Sequence, residues 1–153
     1  MIQKLDIDDP SIRAKIIELQ RRSYLVEAQL IGYFMIPGLI EGDSELSQSD
    51  EVFYGYWQTE VLVGMISFKL DSGLLDIYRL VVCPDSFKKG IAAALISFVE
   101  NLDLGFDQVV VGTAKANIPA CRLYSKLGFE CLSEMELEPG LTFVKFSKPL
   151  SKP

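Results

Sequence analysis

Val81-Val82-Cys83-Pro84-Asp85-Ser86-Phe87-Lys88-Lys89-Gly90-Ile91-Ala92-Ala93-Ala94-Leu95 is the stretch that decides the fold of this chain. It opens on β-branched residues, breaks at Cys83-Pro84-Asp85, and resumes from Ile91 as an alanine-rich run. β-Branched residues favour a strand and alanine favours a helix, so a strand ends here, a short loop follows, and a helix begins at Gly90. The first amides of a helix have no partner within it and lie at the positive end of its dipole. Gly90, Ile91 and Ala92 leave that backbone accessible, so an anionic group such as a pyrophosphate fits there, and Lys88 and Lys89 add positive charge. Packing of a helix on a strand accounts for the same small residues equally well. The P-loop spacing GxxxxGK[ST] and the dinucleotide spacing GxGxxG are both absent.

Downstream of this loop the helix runs from Gly90 to Leu102, and Gln108–Thr113 is a short buried strand. A strand–helix–strand crossover implies a parallel neighbour. Upstream, Glu51–Trp57, Val61–Leu70 and Leu74–Val82 read as strands joined by the turns Gln58-Thr59-Glu60 and Asp71-Ser72-Gly73, an antiparallel meander. A helix opens at Asp8-Asp9-Pro10-Ser11 and runs to about Leu30. Ile36-Pro37-Gly38 breaks it, and Leu39–Ser49 is a weaker helix or an ordered loop. Ile118–Leu127 forms another helix, stopped by Gly128, before closing strands at Cys131–Leu137 and Leu141–Phe146. The expected fold is α/β (α+β): a mixed, mostly antiparallel sheet of six to seven strands flanked by about four helices.

The 153 residues suit one domain, 49% of them hydrophobic and 24% charged, as in ordinary globular proteins. The first residues, MIQKLDIDDP, carry acids where a secretory leader is apolar, and no apolar run is long enough for a membrane span. Cys83, Cys121 and Cys131 are odd in number and lack metal-like spacing, which fits reduced thiols in the cytoplasm. With no histidine in the chain, His-based triads and most zinc sites are excluded, and no metal is expected. The net charge of −6 argues against nucleic-acid binding, which needs clustered Lys and Arg. It mildly favours a cationic substrate.

A second constellation is Asn117-Ile-Pro-Ala120-Cys-Arg-Leu123-Tyr124-Ser-Lys126-Leu-Gly128-Phe129. Asn117 can cap the helix and also bond a ligand. A tyrosine keeps its proton at neutral pH, so Tyr124 is able to protonate a departing thiolate. Taken alone, Tyr124 reads sooner as an amphipathic core residue and Lys126 as solvated surface.

Together the two runs resemble a known family. VVCPDSFKKGIAAAL is similar to the acetyl-CoA motif V-x-P-x-x-[RQ]-x-x-G-x-[GA] of the GNAT N-acetyltransferase superfamily. N-x-x-A-x-x-L-Y-x-K-x-G-F is similar to that family's second motif, in the same order and at the usual separation. The resemblance spans Val61 to Phe146. Phe87 stands where the motif has Arg or Gln, and Lys88 stands at the Gly that follows. The resemblance implies one domain over 1–153, with variable substrate-side helices in 1–50 and an acetyl-CoA-binding core in 51–146.

The resemblance also implies site residues. The backbone of Leu80, Val81 and Val82 would pair with the pantetheine arm, and the amides of Phe87, Lys88, Lys89, Gly90, Ile91 and Ala92 would hold the pyrophosphate. Asn117 would contact the arm, and Tyr124 would stand at the sulfur. The reaction would be direct acetyl transfer to an amine, with Tyr124 as acid and no acyl-cysteine. Some members carry a carboxylate base at the strand position of Asp76. Alternation places Asp76, Tyr78, Leu80 and Val82 on one face, and Ile77, Arg79 and Val81 on the other. Asp76 is then a base, an exposed strand residue, or a partner of groups around Arg79, and the three readings stand together.

On the acceptor side, Tyr24, Tyr33, Phe34, Met35, Ile36, Leu39 and the run Phe53–Trp57 either line a pocket or fill the core. Glu27, Glu41, Asp43 and Glu45 either attract a cation or form a solvated face. The expected acceptor is a small-molecule amine, and the expected state a monomer or homodimer. A non-catalytic acyl-CoA-binding or interaction module is the alternative.

Overall fold

The computed structural model describes residues 1–35 and 40–150. Asp9 accepts the amide of Ser11 and Pro10 fixes the first turn, so α1 (Pro10–Ile31) starts where the sequence predicts. It stops at Gly32, which is left-handed. A short α2 (Asp43–Ser47) follows, its Glu45 side chain reaching back to the Gly42 amide. The meander is β2 (Val52–Gln58), β3 (Val61–Asp71) and β4 (Leu74–Val82). A 3-10 turn at Pro84–Ser86 leads into α3 (Ile91–Glu100), then β5 (Gln108–Ala114), α4 (Ile118–Lys126), β6 (Glu130–Glu138) and β7 (Leu141–Pro149). The sequence reading lacked β1 (Ile2–Lys4), three residues paired antiparallel with Tyr54–Tyr56 at the sheet edge. Among the described residues the seven strands lie in the order β1-β2-β3-β4-β5-β7-β6, and only β4 and β5 are parallel.

The two faces of the sheet are covered by different helices. A Cβ added at Gly64 would lie 2.8 Å from Ile91 Cγ2, so the missing side chain lets α3 settle onto β3. Three residues on, Ser67 points to the opposite face, which α1 covers. Phe53, Phe68, Met65, Ile66, Leu75, Leu95 and Phe106 are almost wholly buried between these layers.

Two features of β4 position the site. Ser67 pairs with Arg79 but Phe68 pairs with Ile77, so Tyr78 is an extra residue in β4, a bulge. The bulge reverses the simple alternation: Asp76 shares a face with Arg79 and Val81, and not with Leu80 and Val82 as the sequence reading had it. β4 and β5 also pair only over Leu74–Ile77 and Gln108–Val111. From Tyr78 onward they part.

At the far edge, every residue of β6 is exposed, including Leu132 and Met135. Glu130, Glu134, Glu136 and Glu138 line that strand. No helix among the described residues is long and apolar enough to cross a membrane.

Candidate active site

Where β4 and β5 part, a cavity of about 620 Å³ opens, within the range of small-ligand sites. Tyr24 and Glu27 of α1, Tyr78, Arg79 and Leu80 of β4, Gly112 and Thr113 of β5, and Asn117 and Tyr124 line it. The Cys83 amide donates to Val63 O at 2.7 Å. Alternation therefore aims the amides of Val82 and Leu80 away from β3, into the gap that β5 has left. An extended ligand arm fits these open backbone groups as an added strand would.

Tyr124 is 5% exposed, its ring set 5.6 Å from Phe146 and 5.9 Å from Phe129. Burial pushes its phenol pKa up, and the neighbouring Glu27 carboxylate adds to the shift. The group stays protonated through the neutral range, as a proton donor requires. Asn117 caps α4 by accepting the Ala120 amide at 3.3 Å, which turns its Nδ2 toward Glu27 Oε1, 3.2 Å away. Burial raises the Glu27 pKa, and the Asn117 bond only partly opposes it.

The remaining wall is a polar network. Arg79 donates to Glu51 at 2.8 and 2.9 Å, to Gln20 at 2.7 Å, and to both oxygens of Glu41. Ser67 and Ser49 also donate to Glu51. Burial opposes the Arg79 charge, but Glu51 and Glu41 outweigh it and the guanidinium pKa rises. Sequence reasoning left Arg79 without a role, because its partners come from α1, the segment before α2, and the residue before β2.

The loop before α3 is built to present backbone. No side chain caps α3, and a Cβ at Gly90 would meet no atom within 4 Å. Gly90 is left-handed at φ +77°, and so is Lys88 at φ +64°. Lys88 holds this left-handed backbone without being a glycine. A side chain there costs about 1–2 kcal/mol, partly offset by the freedom Gly gains when unfolded. Lys88→Gly should therefore raise the melting temperature by about 2 °C, measured by calorimetry. Phe87 is 42% exposed and leaves the loop amides uncovered. Ile91, the first residue of α3, is buried against Gly64 of β3, and Val81 is buried beside β3. Arg22 of α1 reaches the same loop through an ion pair with Asp85 at 2.8 Å.

Asp76 sits elsewhere. It lines a neighbouring cavity of about 410 Å³, with Lys145 Nζ at 3.5 Å. Among the acceptor-side candidates, Tyr24, Tyr33 and Met35 line the larger cavity, while Phe34 is exposed. Ile36 and Leu39 lie outside the described residues. Phe53 is core, with Arg79 over its ring. Glu27 and Glu41 face the cavity, whereas Asp43 pairs with Arg13 and Glu45 caps α2. The cysteines are free, and burial pushes the Cys121 thiol up, opposite to what a nucleophile needs.

A family model described as "Acetyltransferase (GNAT) family" matches residues 13–129. The chain belongs to the GNAT acetyltransferase family. Two curated proteins are similar to this GNAT chain. "UPF0157 protein YqkA" of Bacillus subtilis is 36% identical over 95% of the chain and 43% of its own length. "Streptothricin acetyltransferase" of Escherichia coli is 34% identical over 54% of the chain and 49% of its own length. The chain thus spans less than half the length of the curated relatives it matches. An aminoglycoside 6'-N-acetyltransferase solved with coenzyme A shares the GNAT fold at a TM-score of 0.75 and 16% identity, over 100% of this chain and 99% of that one.

Proposed function

We propose that this GNAT chain transfers the acetyl group of acetyl-CoA directly to the primary amine of a small, cationic acceptor. The observation that carries the reading is the gap between β4 and β5: Leu80 and Val82 present open amides on one side, and the buried phenol of Tyr124 stands on the other. Acetyl-CoA supplies an activated thioester carbonyl. The loop amides of Phe87 to Ala92, with Lys88 and Lys89, hold the pyrophosphate at the α3 N-terminus. The Val82 amide polarises the carbonyl, and Asn117 borders the pantetheine arm. Tyr124 gives its proton to the sulfur as it leaves. Three carboxylates, Glu27, Glu41 and Glu51, face the single guanidinium of Arg79 in the cavity, which supports a cationic acceptor. The names of two similar proteins, acetyltransferases of streptothricin and of an aminoglycoside, point the same way. The same reading makes 1–50 the acceptor side and 51–146 the cofactor core. A binding module without catalysis has no use for the Tyr124 proton.

Calorimetric titration of acetyl-CoA tests the cofactor site. A carboxylate about 4 Å from a phosphate costs on the order of 4 kcal/mol at an effective dielectric of about 20. Gly90→Asp should therefore weaken binding by about 100-fold or more, while Gly90→Ala, with the same backbone strain and no charge, stays within about fivefold of native. Equal affinity in all three chains places the pyrophosphate elsewhere.

A further inference from the structure

We propose that Glu27, aimed by Asn117, is the group that takes the proton from the incoming amine, a role that rests on the acetyl-transfer reading above. Among the described residues, Glu27 is the carboxylate of the cavity that no cation holds. Arg79 occupies Glu41 and Glu51, whereas Glu27 has one neutral donor, the Asn117 amide at 3.2 Å. Asn117 is not free to turn, since its Oδ1 is engaged in capping α4. One residue thus fixes the helix that carries Tyr124 and orients the carboxylate facing it. The groups around Glu27 are Tyr24 on its own helix, Tyr124 on α4, and Arg79, Glu41 and Glu51 across the cavity. Both tyrosine phenols are driven up by burial first and by Glu27 second, so neither competes as a base. Asp76 lies beyond the bulge beside Lys145.

The proton balance closes with these groups. The acceptor enters as an ammonium and Glu27 takes one proton, freeing the nitrogen lone pair. The C–N bond forms at the thioester carbon and the C–S bond breaks, with the Tyr124 proton going to sulfur. The second nitrogen proton restores Tyr124, and Glu27 releases its own to solvent through the cavity mouth. No oxidant or reductant is involved.

The test uses the full chain, acetyl-CoA, and two kinds of probe nucleophile. Spermidine and ethylamine arrive as ammonium ions, whereas hydroxylamine is already neutral at neutral pH and needs no base. Glu27→Gln keeps the shape and the Asn117 contact. The expected result is unchanged acetyl-CoA affinity, a loss of about 100-fold in kcat/KM with the alkylamines, and less than a threefold loss with hydroxylamine above the uncatalysed background. With the alkylamines the native rate should level off above its acid limb, whereas the variant's should go on rising with pH as the free-base fraction of the amine rises. Asp76→Asn should stay within about threefold of native on both probes. Equal activity of Glu27→Gln on alkylamines overturns the assignment, as does a loss in Asp76→Asn alone. An equal loss on both probes reduces Glu27 to a structural part. A native chain that binds acetyl-CoA but acetylates neither probe class overturns the transfer reading itself, and this role with it.

Discussion

Tyr124→Phe should bind acetyl-CoA as the native chain does and turn over about 100-fold more slowly. Positioned acids contribute on the order of 10²–10⁴ in rate, and the lower end applies because a thiolate is a tolerable leaving group. The substitution removes one oxygen and leaves the ring between Phe129 and Phe146, where it packs. The hydroxyl has no hydrogen-bond partner among the described residues, so its loss strands no buried donor. The fold should therefore melt within about 1 kcal/mol of native. Burial and the nearby Glu27 keep the phenol protonated, so the native rate should not fall on the alkaline side from loss of this proton at any pH up to 9. Steady-state rates with a probe amine, set beside calorimetric binding, separate these outcomes. A drop in affinity with an unchanged rate would return Tyr124 to the core.

Arg79→Met should destabilise the chain by about 3–5 kcal/mol, which is much of the roughly 5–15 kcal/mol that holds a domain folded. The Arg79 side chain is 13% exposed, Glu51 9% and Glu41 16%. Methionine fills a similar volume but leaves two carboxylates largely out of water with no cation between them. Urea unfolding measures the loss, with Arg22→Met as comparison. That arginine pairs with Asp85 in the open, where an ion pair contributes about 0–1 kcal/mol. The pH dependence has a definite sign. Burial pushes the Glu51 carboxyl up, but Arg79, Ser67 and Ser49 together hold it below its ordinary value. The network's stabilisation is thus complete above the unfolded carboxylate pKa near 4.3 and fades as pH falls through the lowered folded value. The gap between native and variant should be widest near pH 7 and narrow below about pH 4. A constant gap would mean that lost packing, not charge, is responsible.

The fold was legible in the sequence because its elements are punctuated: Asp9-Pro10 starts a helix, Asp71-Ser72-Gly73 turns a hairpin, and Gly128 stops α4. β1 was not, since three residues carry too little pattern to stand out. The bulge at Tyr78 was invisible for a different reason. It is set by how β3 and β4 register against each other, and nothing local to Asp76 announces that its side chain changes face. Glu27 and Arg79 were hidden likewise: their significance lies in partners 90 and 28 positions away. The two motif runs were readable because the proposed anion site would be made by consecutive backbone amides, and a site of that kind lies in one stretch of chain.

The outer strand β6 has a consequence for the protein as a substance. Its free backbone edge and exposed Leu132 and Met135 are the makings of a sticky seam between copies, and four carboxylates fence it off at neutral pH. At the isoelectric point of about 4.7 the net charge that disperses the molecules disappears, and the seam is then no longer kept apart by it. Acidity thus sets a colloidal limit on the chain through a surface far from its chemistry.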